Sequence, residues 1–185
     1  MTCAGVLLTG GASRRMAADK AGIVWRGETL ARRAGRVLSE VCAPVVEVGS
    51  GVSGLGCVRE DPAGSGPLAA LVAGARALAT PGPLVLLACD LPFVEPPVLR
   101  LLADWPGRAT VIPMSGGRLQ YACARYGADA VARSESALRY GEPALREAAG
   151  TVYDVVTEST WRLVAPPDAF ADVDTPADLD RLGLS

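Results

Sequence analysis

Short apolar runs alternate with amphipathic segments along most of this 185-residue chain, and this alternation limits the possible folds more than any other feature. Apolar runs such as AGVLL and PLVLLAC, which lack regular polar alternation, are typical of strands buried on both faces. Amphipathic segments between such strands favour crossover helices, which make neighbouring strands parallel. The pattern therefore predicts an α/β domain whose mostly parallel sheet is covered by helices on both faces.

The elements can be placed approximately along the chain. The predicted strands are 4–8, 44–48, 83–89 and 109–113, and the predicted helices are 28–42, 67–79 and 95–105. After Pro113 the pattern changes, and residues 116–127 indicate a turn and an antiparallel strand near the sheet edge. A helical segment, a strand at 151–156 and a closing helix near 175–183 with Thr175 as N-cap are expected to follow. Without repeats or a linker, 1–185 is predicted to form a single domain.

Composition excludes several classes of function. A net charge of -2 provides no basic surface for nucleic acid or an anionic membrane, and no apolar run approaches the roughly 20 residues that span a bilayer. The absence of histidine excludes Ser-His and Cys-His catalysis, so any metal would need oxygen ligands, as magnesium does. The five cysteines form no C-x-x-C pair and are expected to be reduced thiols in a cytoplasmic protein.

Two strand ends carry the chemistry that a ligand would need. In open parallel sheets, ligands bind at the carboxyl ends of the strands, where the loops at Thr9, Ser50, Cys89 and Met114 are expected to lie. The segment LLTGGASRRM follows the first strand, and its glycine pair can bring backbone amides close to phosphate. It matches neither G-x-G-x-x-G nor the Walker motif, so a phosphate loop and a structural turn both remain open.

Asp90 ends the third, nearly all-apolar strand, where a carboxylate is costly unless something pairs with it. A magnesium ligand and a simple turn cap are the two interpretations. The loop after the first strand also contains Lys20, the only lysine in a chain whose other basic residues are arginines.

These segments resemble a known family. Residues 7–20, LLTGGASRRMAADK, resemble the L-A-G-G-x-S-x-R-M-G-x-D-K signature of the molybdenum cofactor guanylyltransferases, which aligns from Leu8 with Thr9 for Ala and Ala17 for Gly. Four later segments resemble further family motifs in the same order. They are D-x-x-x-G-x-G-P-L-A-G within Arg59 to Leu71, C-D-x-P from Cys89 to Pro92, D-G-R-x-Q-P-L-x-A-L-Y within Ser115 to Tyr126, and F-x-N-x-N-T-P-E-D-L from Phe170 to Leu179. Here Ala70 replaces Gly, Tyr121 replaces Pro, and Asp172 and Asp174 replace Asn.

The resemblance implies a three-layer, Rossmann-like nucleotidyltransferase with an antiparallel segment near 116–126. It implies that GMP is transferred from GTP to molybdenum-carrying molybdopterin and that pyrophosphate leaves. Residues 1–113 would form the nucleotide-binding half and 114–185 the acceptor-binding half. Proteins that insert the cofactor or act as molybdoenzyme chaperones would be possible partners.

The resemblance also assigns roles to residues. Catalytic roles fall to Arg15, Lys20 and Asp90, and Asp90 would hold Mg²⁺. Nucleotide contacts fall to Leu8, Thr9, Gly10, Gly11, Ser13, Lys20, Asp61, Gly66, Pro67, Leu68 and Asp90. Acceptor contacts fall to Arg118, Gln120, Asp172 and Asp174.

Three alternatives remain at the level of sequence. The chain could be a relative of the same fold, with a similar site, that uses CTP as the donor or transfers to another small phosphorylated acceptor. A non-catalytic nucleotide-binding homologue would fit the substitutions at Ala17, Tyr121, Asp172 and Asp174, although Lys20 and Asp90 argue against it. A dinucleotide-dependent oxidoreductase is disfavoured because G-x-G-x-x-G is missing.

Overall fold

The computed structural model of the chain describes residues 3–10, 20–79, 82–107, 109–141, 144–173 and 176–181. Its main sheet is built from the strands β1 Ala4–Leu8, β4 Val45–Val48, β5 Cys57–Val58, β6 Leu84–Ala88, β7 Val111–Ser115, β8 Arg118–Leu119, β9 Cys123–Tyr126 and β10 Asp154–Val156. A short separate hairpin pairs β2 Val24–Trp25 with β3 Glu28–Thr29.

The main sheet is mostly parallel, as the sequence predicts. Its strand order is β10-β7-β9-β6-β1-β4-β5, and β8 pairs with β7. The strand β1 lies between β4 and β6 and is parallel to both. Only β8 and β9 run antiparallel to their neighbours in the described part of the sheet. Residues 116–126 are therefore antiparallel as expected.

The position of β9 differs from the expectation. It lies inside the sheet, between β6 and β7, rather than near the edge. Antiparallel neighbours can be joined by a short connection, so the chain leaving β7 returns through β8 directly into the gap beside β6. The amide of Ala88 donates to the carbonyl of Ala122 at 2.8 Å, which brings this returning segment to the end of β6.

Helices cover both faces. One face packs against α1 Leu30–Ser39, α3 Pro96–Ala103 and α6 Glu158–Trp161, and the other against α2 Pro67–Leu78, α4 Ala130–Arg139 and α5 Arg146–Ala149. Alternation along β1 explains the two cores, because Leu7 joins the first and Val6 and Leu8 join the second. A last helix, α7, spans Pro176–Arg181. The three-layer, Rossmann-like architecture is the one that the sequence predicts.

Some helix boundaries differ from those predicted from the sequence, because of local hydrogen bonds. The helix predicted over 28–42 begins only at Leu30, because Thr29 is its N-cap and accepts a hydrogen bond from the Arg32 amide at 3.2 Å. The predicted N-cap of the last helix, Thr175, lies outside the described residues. In the described part of the chain, no helix has both the length and the apolar character needed to cross a membrane.

Candidate active site

The carboxyl ends of β4, β1 and β6 meet at one edge of the sheet. The Cys89 amide donates to the Leu8 carbonyl at 3.0 Å, and the Ser50 amide donates to the Thr9 hydroxyl at 3.0 Å. Three of the four loops expected at this edge, those at Thr9, Ser50 and Cys89, therefore come together. Met114, in the fourth, lies on β7, which β9 separates from β6.

The first amides of the glycine loop are already engaged within the fold. The amides of Thr9 and Gly10 both donate to the Val48 carbonyl, at 3.0 and 3.3 Å. Phosphate contacts from loop amides would therefore have to come from the residues that follow. Three of the predicted site residues in this loop, Gly11, Ser13 and Arg15, lie outside the described residues.

Gly49 sets how closely the loops after β1 and β4 approach each other. Its φ is +138°, and a Cβ at this position would lie 2.1 Å from the Gly10 nitrogen. No other residue type fits such a contact in that conformation. Gly49 is not among the residues predicted from the sequence, and the only signal for it is its place directly after an apolar strand.

Lys20 and Asp90, which lie 70 positions apart in the sequence, meet at this edge. The Lys20 Nζ lies 3.9 Å from Asp90 Oδ2, and the two side chains are 18% and 31% exposed. Lys20 begins a short 3-10 turn, Lys20–Gly22, whose Ala21 is fully buried in the core beside α1. The structure thus pairs the lysine and the aspartate that the sequence singles out separately.

Two contacts fix the loop that carries Asp90. The Val173 amide donates to the Asp90 carbonyl at 3.0 Å, which ties the C-terminal segment to the strand end. Two residues further on, the Pro92 carbonyl accepts a 2.7 Å hydrogen bond from Arg33 Nε. The Arg33 guanidinium also forms an ion pair with Glu95 and lies 4.9 Å from the ring centroid of Trp25. Arg33 is a supporting residue that the sequence does not reveal.

The donor set at Asp90 fits a hard cation. Among the described residues, no group of three or more His, Cys, Asp or Glu side chains is arranged to hold a metal. A single partly exposed carboxylate is a normal protein contribution to a magnesium site, in which phosphate oxygens and water supply the other ligands. Such a metal would therefore arrive with a phosphorylated ligand.

The predicted nucleotide contacts between Asp61 and Leu68 lie on the connection into α2 and at its start. Gly66 has a φ of +93° immediately before Pro67, the first residue of the helix. The Leu68 side chain is fully buried, so only its backbone could contact a nucleotide. Asp61 is exposed and lines a groove with Arg59 and Arg76, on the α2 side of the molecule.

The predicted acceptor residues lie on two separate segments of the chain. Arg118 is exposed on β8, and its carbonyl accepts a 3.2 Å hydrogen bond from Gln120 Nε2. Asp172 is exposed and directly precedes Val173, whose amide bonds to the Asp90 carbonyl. The remaining predicted acceptor residue, Asp174, lies outside the described residues.

Glu47, which is not among the residues predicted from the sequence, is a further buried group at this edge. Burial alone raises the pKa of its carboxyl, but hydrogen bonds from Ser53, Thr9 and the Gly51 amide outweigh burial and lower the pKa below its ordinary value. Glu47 is therefore a carboxylate that stays ionised inside the fold. A glutamate within an otherwise apolar strand is the signal that could have indicated it.

A Rossmann-like sheet with a lysine and an aspartate brought together near the carboxyl ends of its parallel strands is typical of ligand-binding α/β proteins. Residues 5–158 match the family described as the MobA-like NTP transferase domain. A probable molybdenum cofactor guanylyltransferase from Opitutus terrae is 36% identical over 192 residues, which cover 96% of this chain and 93% of that protein. The molybdenum cofactor guanylyltransferase of Rhodobacter capsulatus is 33% identical and covers 98% and 95%. The chain therefore belongs to the MobA-like nucleotidyltransferases, within the group of molybdenum cofactor guanylyltransferases.

Solved structures agree on the fold. Molybdopterin-guanine dinucleotide biosynthesis protein A from Archaeoglobus fulgidus superposes with a TM-score of 0.78 at 24% identity, over 96% of this chain and 95% of that chain. The 2-C-methyl-D-erythritol 4-phosphate cytidylyltransferase of Thermus thermophilus gives 0.68 at 19% identity, over 98% and 97%. The predicted family, fold class and enzyme class are confirmed. Nucleotidyltransferases of this kind generally depend on a divalent metal ion.

Proposed function

We propose that the chain transfers GMP from GTP to molybdenum-carrying molybdopterin, forming the guanine dinucleotide cofactor and pyrophosphate. The observation that carries the proposal is the Lys20–Asp90 pair, which lies near the carboxyl ends of the paired strands β1 and β6. Full-length relatives named for this activity support the choice of donor and acceptor. A cytoplasmic location is also part of the proposal, and the buried, reduced thiols of Cys3, Cys42 and Cys123 are compatible with it.

The residues at the strand ends would mainly position the triphosphate and neutralise its charge. In the proposed reaction an acceptor phosphate oxygen attacks the α-phosphate of GTP, so little proton transfer is required. Lys20 would place a compact positive charge against the triphosphate, and Arg15 would add a second. A chain without histidine can therefore support this chemistry.

Asp90 would hold the magnesium ion together with phosphate oxygens and water. Bound there, the ion would offset negative charge on the triphosphate. The hydrogen bonds from Val173 and Arg33 would keep the Asp90 loop in place while the ligand exchanges. The part of the site that receives the guanine base and ribose would be lined by Asp61, Gly66, Pro67 and the backbone of Leu68.

Residues 114–185 would form the acceptor half, and 1–113 the nucleotide half. Asp172 beside the Asp90 loop, and Arg118 with Gln120 near the end of β6, would face the acceptor phosphate or the groups around it. Asp174 would complete this set. We include cofactor-insertion or chaperone proteins as the partners that would exchange molybdopterin with this half.

The test combines nucleotide binding with turnover. We expect GTP with Mg²⁺ to raise the melting temperature more than CTP, ATP, UTP or NADH, and purified molybdenum-carrying molybdopterin to trigger pyrophosphate release. Asp90→Ala should abolish that release while the fold persists. Asp104→Ala, an exposed aspartate just after α3, is the matched control and should retain turnover.

Each outcome has a defined meaning. Normal turnover by Asp90→Ala would overturn the metal assignment. A preference for CTP would overturn GTP as the proposed donor and identify the chain as a cytidylyltransferase. No response to any triphosphate would overturn the proposed enzyme function.

A further inference from the structure

The Glu47 carboxylate lies buried between Thr9, directly after β1, and the loop that follows β4. Its side chain is 0% exposed and projects from β4 on the α1 side of the sheet, because the neighbouring Val46 and Val48 join the opposite core. The residues after β4 wrap back over this face, where a Cβ added to Gly35 of α1 would contact Leu55 and Ser53. The carboxylate is thus enclosed by the strand that carries it and by the loop that follows.

Both carboxylate oxygens are saturated by neutral donors. Oε1 accepts from the amides of Gly51 at 2.6 Å and Val52 at 3.1 Å, and also from the Thr9 hydroxyl. Oε2 accepts from the Ser53 amide at 3.0 Å and from the Ser53 hydroxyl. Only an ionised carboxylate can accept this many hydrogen bonds, which also offset the cost of its burial.

Thr9 links this carboxylate to the loop after β1. Its hydroxyl donates to Glu47 and accepts from the Ser50 amide at 3.0 Å, while its own amide is bonded to the Val48 carbonyl. The family motif has alanine at this position, which carries no hydroxyl. The start of the glycine loop is therefore connected to residues 50–53 through one side chain that the motif lacks.

We propose that Glu47 is a positioning residue for the nucleotide, which acts through Thr9 to hold Thr9 and Gly10, directly after β1, and the loop at 50–53 as one preorganised wall of the binding site. The proposal rests on the proposed function, since the ligand of this edge is there taken to be a nucleoside triphosphate. Glu47 itself touches no reacting atom, so its contribution belongs to binding rather than to the chemical step.

The substitution that isolates the link is Thr9→Val, which keeps the side-chain shape and removes the hydroxyl. Glu47→Gln is less selective, because either orientation of its amide directs N–H groups at the backbone amides of Gly51 and Val52 or of Ser53. Ser53→Ala is the matched control, since it removes a hydroxyl from the same carboxylate without touching the loop after β1.

The experiment measures GTP dissociation constants with Mg²⁺ by calorimetry, together with KM and kcat for pyrophosphate release. We expect Thr9→Val to raise the GTP dissociation constant and KM about tenfold with kcat within about threefold of the original, because a hydrogen bond to a charged group is lost outside the reacting atoms. Thr9→Ser should recover most of the lost affinity, and Ser53→Ala should lower the melting temperature but change the dissociation constant less than about twofold.

The results separate the two proposals. If the unaltered protein does not bind GTP, the proposed function fails. If it binds GTP, but Thr9→Val matches it, or Ser53→Ala weakens GTP binding as much as Thr9→Val does, the positioning role of Glu47 is overturned and the carboxylate is structural only.

Discussion

Lys20 is the only lysine of the chain, and its ammonium group lies 3.9 Å from Asp90 Oδ2 at the edge where three strands end. Every other cationic side chain is an arginine, whose planar guanidinium favours bidentate pairing. An ammonium is a compact point charge that fits beside a phosphate oxygen in a confined site. The position of Lys20, only 18% exposed, makes the size of the cation important.

Lys20→Arg is therefore expected to weaken catalysis although it preserves the charge. We predict that kcat/KM for GTP falls at least about tenfold, because the wider guanidinium cannot occupy the same space beside Asp90. The measurement is steady-state pyrophosphate release. Arg36→Lys, on the exposed ion pair with Glu40 at the end of α1, is the control for a cation exchange away from the edge.

Full activity of Lys20→Arg would mean that the site does not require a lysine rather than an arginine at position 20. Full activity of the Arg36 control, with a defect at Lys20, would connect the choice of lysine to the geometry of the edge.

At the scale of elements, the close crossing of the loops after β1 and β4 fixes the shape of the edge. Gly49 approaches Gly10 so closely that a Cβ would lie 2.7 Å from the Gly10 Cα as well as 2.1 Å from its nitrogen. These are backbone atoms, and the two loops are joined by further hydrogen bonds through Val48 and Ser50. A side chain at position 49 would force the two strand ends apart.

Gly49→Ala is predicted to destabilise the fold by about 3 kcal/mol, the sum of an unfavourable backbone conformation and a backbone clash. Gly54→Ala is the matched control, because Gly54 also has a positive φ, +90°, but no atom lies within 4 Å of the added Cβ. It should cost only about 1 kcal/mol. Urea unfolding measures both, and equal losses would contradict a specific contact at Gly49.

Predictability also differs between elements for physical reasons. The strand predicted over residues 4–8 and the helix start at Pro67 are found as expected, since local apolar patterning and proline geometry decide them. The place of β9 between β6 and β7 depends on long-range pairing, which no local pattern encodes. A single-sequence prediction can therefore identify β9 as a strand but not its neighbours.

Residues of the candidate site likewise differ in whether the sequence alone can identify them. Lys20 and Asp90 are predictable because their chemistry is unusual for their sequence position. Arg33 and Glu47 are not predicted, because their roles arise from partners 59 and 38 positions away, the Pro92 carbonyl and the Thr9 hydroxyl. Gly11, Ser13, Arg15 and Asp174 lie outside the described residues and stay predictions.

At the scale of the whole molecule, both helical layers enclose acidic groups that must remain protonated. Burial raises the pKa of Cys42 and of Cys123, both in the core on the α1 side, to about 12 from an ordinary value of 9.0. Burial also raises the pKa of Tyr126, which belongs to the opposite core. The folded state therefore binds protons more tightly than the unfolded chain in the alkaline range.

This difference predicts alkaline destabilisation of both layers together. A group with a raised pKa contributes its full stability below its unfolded pKa and loses it as the pH rises toward the folded pKa, so the free energy of unfolding should fall from about pH 9 upward. Urea unfolding between about pH 7 and pH 11 measures the slope. Cys123→Ala should be less stable at neutral pH but have a shallower alkaline slope than the original protein. Cys57→Ala, which removes an exposed thiol, is the matched control. An unchanged slope in Cys123→Ala would show that this buried thiol does not couple folding to pH.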